Sequence, residues 1–350
     1  MKKRFIFFIH SAAGLLSGLF ILLMSLSGAA LVYHEEMDTG KNSFFDPGTY
    51  RLPVDSAYGV IQKAYPHAQI SSCEIPQSTV ISFFIYDPSY KNGEKALEVF
   101  VHNQTASIAG KRGASDSFVS WLSKFHRTLH LGKTGEWLLG LFALIFLVSI
   151  ITGFILFRKK TGAVLLFRRS AYKRNNLHQI IGTWALLFNL MMAVSGFWMQ
   201  RYVFKKEFYQ SYDYTPVVKA SPSLSFNFDS SYTEIKKRYP DFTAAVIYFA
   251  QSNSGKTAVY GSRRSNAYIH SMKFADVIML DSAGGIAKTR MIDENTASDK
   301  YDIINSQLHM GKYGGWGIKL IYFIFGLSGA LLSITGFLLW VRRRRHGKQD

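Results

Sequence analysis

The chain has 350 residues, of which 48% are hydrophobic, and its formal net charge is +18. A charge this high suggests nucleic acid as a partner, but fifteen of the 41 Lys and Arg residues lie in three clusters beside apolar runs, at residues 2–4, 158–174 and 342–348. Such clusters are typical of the cytoplasmic ends of membrane helices, so we expect no nucleic-acid partner. The single cysteine, Cys73, excludes an internal disulfide, a cysteine-based zinc site and an iron–sulfur cluster. The sequence also lacks Cys-x-x-Cys-His, which excludes covalently attached haem.

Four apolar runs are long enough to cross a bilayer as helices, which takes about 20 residues. They cover residues 5–32, 137–157, 177–199 and 318–341. The first run is too long for the core of a signal peptide and lacks a small-residue cleavage site, so we expect it to be retained. With four crossings, the basic clusters put both termini and the connection at 158–174 in the cytoplasm, and the two long loops outside. The apolar middle of that connection, residues 164–167, is expected to contact membrane lipid.

The two long loops share one order of predicted elements. In the first, a helix is followed by three strands, at 54–64, 69–74, 80–86 and 96–101. In the second, a helix and three strands are predicted at 231–238, 244–249, 257–261 and 276–280. Both helices end at a Tyr-Pro pair, because proline cannot continue a helix. Each loop therefore predicts a small α+β unit, and an amphipathic helix over 117–130 leads into the second membrane helix.

The predicted fold is a four-helix transmembrane bundle with two outer α+β domains. Its segments are the first transmembrane helix at 1–34, the first outer domain at 35–116, the second transmembrane helix with the basic loop at 117–174, the third transmembrane helix at 175–201, the second outer domain at 202–305, and the fourth transmembrane helix with the basic tail at 306–350.

The bundle is a duplication, because the same motifs return in the same order. Each opening helix carries a histidine, a glycine and a Ser-Gly pair at identical spacing: His10, Gly14 and Ser27-Gly28, then His178, Gly182 and Ser195-Gly196. Each closing segment carries Leu-His-x-Gly-Lys and later Thr-Gly-Phe, at 129–133 and 152–154, then at 308–312 and 335–337. Both halves run in the same direction, so the repeats are related by an axis along the membrane normal. This symmetry predicts His10 opposite His178 near the cytoplasmic side, and His130 opposite His309 near the outer side.

Facing histidines inside a bundle predict a cofactor. Taken singly, each histidine has an ordinary structural explanation near the membrane surface. A buried imidazole needs partners for both nitrogens, however, and two facing imidazoles in a four-helix bundle provide axial ligands for a haem. Gly14 and Gly182 lie on the same helix face as their histidines, where a glycine admits either a flat macrocycle or a neighbouring helix. The pattern favours two ligand pairs. It does not decide whether the glycines contact a macrocycle or a neighbouring helix.

A metal site without haem is the chemical alternative. His126 and His130 lie four residues apart, a spacing that can chelate zinc or copper, but Asn305 stands where His126 would recur. His34, which two glutamates follow, has no histidine counterpart in the second half. We therefore expect His126 and His34 to be alternate or supporting ligands.

Other function classes lack their motifs in the sequence. No Gly-x-Gly-x-x-Gly follows a strand, and neither a phosphate-binding loop nor a Gly-x-Ser-x-Gly turn is present, so no nucleotide, flavin or serine-hydrolase site is expected. Apart from the histidines the apolar runs hold few charges, which argues against a proton-coupled transporter.

The duplicated motifs resemble the PepSY-associated transmembrane helix family, also described as iron-regulated or iron-uptake membrane proteins. The resemblance rests on the openers that begin at His10 and His178, on the closers that contain His130 and His309, and on the outer helix-and-strand segments. It covers nearly the whole chain. It implies a multi-pass protein of the bacterial inner membrane with periplasmic loops and, as in the ferric-siderophore reductases of this family, two b-type haems held by the four histidines.

Two functions from different classes follow. The resemblance implies that electrons pass from a cytoplasmic or membrane donor through two b-type haems to a ferric siderophore, or another ferric chelate, and release Fe(II) outside. The alternative is a cofactor-free, membrane-tethered sensor or assembly factor whose outer domains bind an envelope partner and whose histidines are structural.

Overall fold

The computed structural model of the chain describes residues 3–39, 54–75, 80–90, 96–102, 105–172, 177–205, 221, 224–250, 256–263 and 269–346. These form two compact units. The helical unit comprises Met1–His34, Leu122–Asp213 and Asn305–Asp350, and the sheet unit comprises Glu35–Trp121 and Tyr214–Ile304.

Three long helices dominate the helical unit: α1 (Lys3–Leu31), α5 (Gly132–Leu165) and α10 (Gly315–His346). Each is long and apolar enough to cross a membrane. A fourth apolar segment consists of α6 (Leu177–Trp184) and α7 (Leu186–Gln200), and it meets the same criterion when α6 and the residues through Phe204 are taken as one bent span. The bend is 65°.

The bend in the fourth segment lies at Ala185, which has φ −92° and ψ 6°. The amide of Asn189 donates to the Ala185 carbonyl over 3.0 Å and to the Ser328 hydroxyl over 3.0 Å. The main-chain N–H of Asn189 donates to the same carbonyl over 2.8 Å, so main chain and side chain share this acceptor at the bend. The sequence has no proline here, so the bend was not predicted.

The helices of this unit form a closed ring. Helix α1 packs against α5 and α10, while α6 and α7 pack against both α5 and α10. Two shorter helices, α4 (Phe118–Thr128) and α9 (Ala297–Met310), lead into α5 and α10 respectively. The ring encloses an interior into which all four apolar segments can direct side chains.

The sheet unit contains one antiparallel sheet of eight strands in the order β4-β3-β2-β1-β5-β6-β7-β8. The strands are β1 (Gln69–Glu74), β2 (Val80–Tyr86), β3 (Ala96–His102), β4 (Ile108–Gly113), β5 (Thr243–Tyr248), β6 (Thr257–Ser262), β7 (Asp276–Leu280) and β8 (Ile286–Arg290). The two segments predicted as separate outer domains thus share a single sheet. They join between β1 and β5, where Cys73 lies opposite Ile247.

Two helices, α2 (His34–Thr39) and α3 (Val54–Ala64), belong to the first half of the chain, and α8 (Phe228–Arg238) belongs to the second. Residues of α3 and α8 form one apolar core with alternate residues of the strands, including Phe83, Ile247 and Ile278. Alternation along a strand places these side chains on one face of the sheet. The predicted helices and strands of both loops agree with these elements to within about three residues, as expected for patterns of this strength.

Candidate functional site

The first pair of predicted ligands lies face to face inside the helical unit. His10 on α1 and His178 on α6 are half-buried, and their ring centroids are 6.2 Å apart with the ring planes at 68°. Both line a cavity of about 1050 Å³. Apolar side chains form most of its wall, among them Phe7, Phe146, Ile150, Phe154, Leu332 and Trp340. Gly14, Gly182 and two arginines, Arg343 and Arg344, line it as well.

Residues of α5 and α10 hold these two imidazoles in place. Nδ1 of His10 is 2.9 Å from the Ser149 carbonyl and 3.4 Å from the Thr152 hydroxyl. Nδ1 of His178 is 2.9 Å from the Thr335 hydroxyl. The next residue in each case, Gly153 or Gly336, provides space, because a Cβ atom there would lie 2.9 Å or 3.3 Å from the histidine Cε1. Each Thr-Gly pair therefore supports one histidine of an opening helix.

A second pair of histidines is formed by His126 of α4 and His309 of α9. Their ring centroids are 6.4 Å apart, with the planes at 49°. The Ser27 hydroxyl lies 2.9 Å from Nδ1 of His126, and the Ser195 hydroxyl lies 2.8 Å from Nδ1 of His309. Cβ atoms placed at Gly28 and Gly196 would approach the two Cε1 atoms to 3.0 Å and 3.3 Å. Each Ser-Gly pair thus makes the same two contacts with a histidine of the second pair as each Thr-Gly pair makes with the first: a hydroxyl near Nδ1 and a glycine next to Cε1.

The predicted pairing of His130 with His309 is not found. His130 lies in the turn after α4, exposed, with φ 58° and its ring 6.0 Å from that of Phe125. Helix α4 ends at Thr128, before His130, whereas α9 continues through His309 to Met310. The two Leu-His-x-Gly-Lys sequences therefore occupy different places in their halves, and His126 is the residue opposite His309.

A spacing in the sequence could have identified His126. It lies 26 residues before Thr152, and His309 lies 26 residues before Thr335, whereas His130 lies only 22 before Thr152. The difference of four residues is about one helical turn, so aligning the short Leu-His motif shifts the register by one turn.

The remaining candidate residues take supporting positions. His34 is bonded through Nδ1 to the Leu31 carbonyl at 3.0 Å, at the end of α1. Asn305 is buried and its amide donates to the Ser195 carbonyl over 3.3 Å. Within the described residues no group of three or more His, Cys, Asp or Glu side chains converges.

The whole arrangement falls within one known family. The family of the PepSY-associated TM region matches residues 7–343. The chain belongs to this family. A search of curated proteins found no match. Membership in the PepSY-associated family agrees with the resemblance drawn from the duplicated motifs, and it shows a membrane protein without showing what the protein carries or transforms.

Burial keeps His126 and His309 neutral. It lowers the pKa of His126 and of His309 to about 4, since the charged form loses its hydration, and in the case of His126 the neighbouring His309 adds to this. Both imidazoles are therefore uncharged near pH 7. The neutral ring is the form that binds a metal ion.

The spacing of each pair suits one metal ion between two imidazoles. A metal–nitrogen bond of about 2.0 Å and roughly 1.1 Å from nitrogen to ring centre, taken twice, give centroids about 6.2 Å apart. The observed separations are 6.2 Å and 6.4 Å. The cavity beside His10 and His178 also suits a flat apolar macrocycle with acidic edge groups, because its wall is apolar and Arg343 and Arg344 line it. The residues around His10 and His178 thus fit a bis-imidazole haem.

Proposed function

We propose that the protein is a transmembrane electron carrier with two b-type haems, one between His10 and His178 and one between His126 and His309. The observation that carries the proposal is the presence of two imidazole pairs in one helical unit, each at the separation of a shared metal ion. The enzyme would be a ferric-chelate reductase that acts on ferric siderophores and releases Fe(II).

The two histidine pairs meet helix α1 at positions far apart along its axis, which supports transfer across a membrane. His10 and Ser27 both belong to the continuous helix α1. Seventeen residues at 1.5 Å each put the contact of His126 with Ser27 about 25 Å from His10 along the helix axis. This is close to the roughly 30 Å of a bilayer interior, so the pairs suit opposite sides.

We further propose that the four apolar segments make four crossings in the inner membrane of a bacterium. The exposed basic residues at the ends of α5 and α10 favour the cytoplasm for both termini and for residues 158–174. On this topology His10 and His178 are the inner pair, His126 and His309 are the outer pair, and the sheet unit lies in the periplasm as the two halves of a parallel duplication.

The residues of the chain suit the two histidine sites to electron transfer in three ways. Neutral imidazoles are held by main-chain and hydroxyl groups, so little reorganisation is needed when electrons pass. Glycines at positions 14 and 182 line the inner cavity without side chains that would fill it. The apolar wall excludes water and so keeps the local dielectric low. A haem bound there supplies one-electron transfer, with a potential set by its axial ligands and burial.

The chemistry of the acceptor explains why reduction serves iron uptake. Siderophore oxygen ligands are hard and hold ferric iron tightly, whereas the softer ferrous ion is held much less tightly. One electron delivered outside therefore frees the metal. The donor on the other side is a cytoplasmic or membrane reductant.

The test is the visible spectrum and redox activity of the purified protein. We expect low-spin b-type bands after dithionite reduction, and reoxidation with capture of Fe(II) by a ferrous chelator when a ferric siderophore is added without oxygen. Protein that stays colourless when expressed with adequate haem would overturn the proposal in favour of a cofactor-free sensor or assembly factor. Haem that stays reduced with every ferric chelate would overturn the assigned substrate.

A further inference from the structure

Four hydroxyl–glycine pairs recur beside the four paired histidines. They are Ser27-Gly28, Thr152-Gly153, Ser195-Gly196 and Thr335-Gly336. Each hydroxyl lies within 3.4 Å of a histidine Nδ1, and each glycine lies beneath the Cε1 of the same ring. The same local arrangement occurs four times, twice in the opening helices and twice in the closing helices, which indicates a shared function.

The hydroxyl protons show which way these bonds run. Every hydroxyl also donates to the carbonyl four residues earlier in its own helix, at 2.7 Å for Ser27, 2.7 Å for Thr152, 2.6 Å for Ser195 and 2.7 Å for Thr335. A hydroxyl has one proton to give, so towards the imidazole it can only accept. Nδ1 of each histidine must then carry the ring proton, and Nε2 keeps its lone pair.

His10 gives an independent check on this direction. Its Nδ1 is 2.9 Å from the Ser149 carbonyl, and a carbonyl oxygen only accepts. The ring proton of His10 is therefore on Nδ1, in agreement with the argument from Thr152.

We propose that the four hydroxyl–glycine pairs are positioning residues that fix the tautomer of the haem ligands and tune the iron, an inference that rests on the proposed function. The glycine sets how close the ring comes to the supporting helix, and the hydroxyl holds the Nδ1 proton. A hydrogen bond from the far nitrogen of a ligand imidazole raises its basicity, and losing such a bond commonly weakens metal binding about 10–100-fold.

The two histidine pairs differ in the groups that accept hydrogen bonds from their Nδ1 atoms. At the inner pair the main chain also takes part, because the Ser149 carbonyl lies 2.9 Å from Nδ1 of His10. At the outer pair the described acceptors are the Ser27 and Ser195 hydroxyls. Removing a hydroxyl should therefore matter more at the outer pair, where no main-chain acceptor is described to replace it.

The experiment compares Ser27→Ala and Ser195→Ala with Thr152→Val in the purified full-length protein. We expect the serine variants to lose the outer haem about 10–100-fold more readily and to raise its midpoint potential, because a less basic ligand stabilises ferric iron less. A tenfold change in ferric over ferrous preference corresponds to about 59 mV for one electron. Thr152→Val should change the inner haem less, since the Ser149 carbonyl remains.

Two controls make the result decisive. Thr128→Val removes a hydroxyl of α4 that donates to the Lys124 carbonyl, and it should leave both haems unchanged. Ser27→Thr keeps the acceptor and should restore the wild-type potential. If the alanine variants do not fold, Ser27→Cys, which keeps the volume but accepts only weakly, asks the same question.

The outcomes separate the two proposals. Wild-type protein with two haems, combined with serine variants whose haem retention and potential match it, would overturn the role of the hydroxyl–glycine pairs alone. Wild-type protein without haem would overturn the proposed function together with this inference.

Discussion

Among single residues, His126 decides between two alignments of the repeat. The Leu-His-x-Gly-Lys sequences pair His130 with His309, whereas the distance to Thr-Gly-Phe pairs His126 with His309. The structure follows the second alignment, since the Ser27 hydroxyl bonds His126 as the Ser195 hydroxyl bonds His309. A short motif at the end of a helix is a poor guide to register. If one helix is a turn shorter than its counterpart, the motif keeps its sequence but lies at a different place in the structure.

On the proposed function, replacing His126 should therefore remove the outer haem, while replacing His130 should not. His126→Ala is expected to leave about half of the wild-type haem, and His130→Ala, its matched control on the same segment, most of it. Pyridine haemochrome content per protein measures both. The reverse result, with haem lost only in His130→Ala, would restore the alignment through the Leu-His motif.

At the scale of elements, two aspartates tie the halves of the sheet unit together. Asp229 in the first turn of α8 accepts from the amides of Val54 and Asp55 at 2.9 Å and 3.1 Å. Asp55 in the first turn of α3 accepts from the amides of Phe228 and Asp229 at 3.0 Å and 2.9 Å. Each carboxylate thus caps the helix of the other half, where unpaired amides and the helix dipole favour a negative charge.

Loss of each aspartate should destabilise the helix that it caps. Asp55→Ala is expected to lower the free energy of local opening of α8 by about 1–2 kcal/mol, as for other lost caps, and to leave α3, which Asp229 still caps, better protected than α8. Hydrogen exchange of residues 54–64 and 228–238 measures this. Asp87→Ala, which removes a carboxylate from an exposed turn beside Ser89, is the control and should leave those amides unchanged. Protection lost in α3 but kept in α8 would contradict this assignment of the caps.

The same cap should depend on pH. Burial raises the pKa of Asp229 to about 6, and Asp55 beside it adds to the shift. The unfolded carboxyl titrates near 3.9, so between about pH 4 and pH 6 the folded state binds more protons, and stability falls as pH rises through that window. Asp229→Asn should remove this slope. Corrected exchange protection that is flat across the window in the wild type would contradict it.

For the molecule as a whole, the sequence predicted the elements that depend on local pattern, namely the apolar helices and the individual strands. Long apolar runs predicted the spans, and a run of strand-forming residues predicted β2, whose Ile81, Phe83 and Ile85 belong to the apolar core. The join of β1 to β5 depends on strands about 170 residues apart in the chain, and no local pattern encodes such a pairing. The inner histidine pair followed from symmetry, whereas the outer pair needed the lengths of α4 and α9.

The difference in hydrogen-bond acceptors between the two histidine pairs predicts a direction for electron transfer. Main-chain and hydroxyl acceptors together make the inner imidazoles more basic than outer ones held by serine hydroxyls, and a more basic ligand favours ferric iron. On the proposed function, the inner haem should therefore have the lower midpoint potential, so that electron transfer to the outer haem is favourable. A spectroelectrochemical titration should resolve two one-electron steps, and His178→Ala should remove the lower one while His309→Ala removes the higher. If His178→Ala instead removed the higher step, the hydrogen bonds of the ligands would not be what orders the two centres.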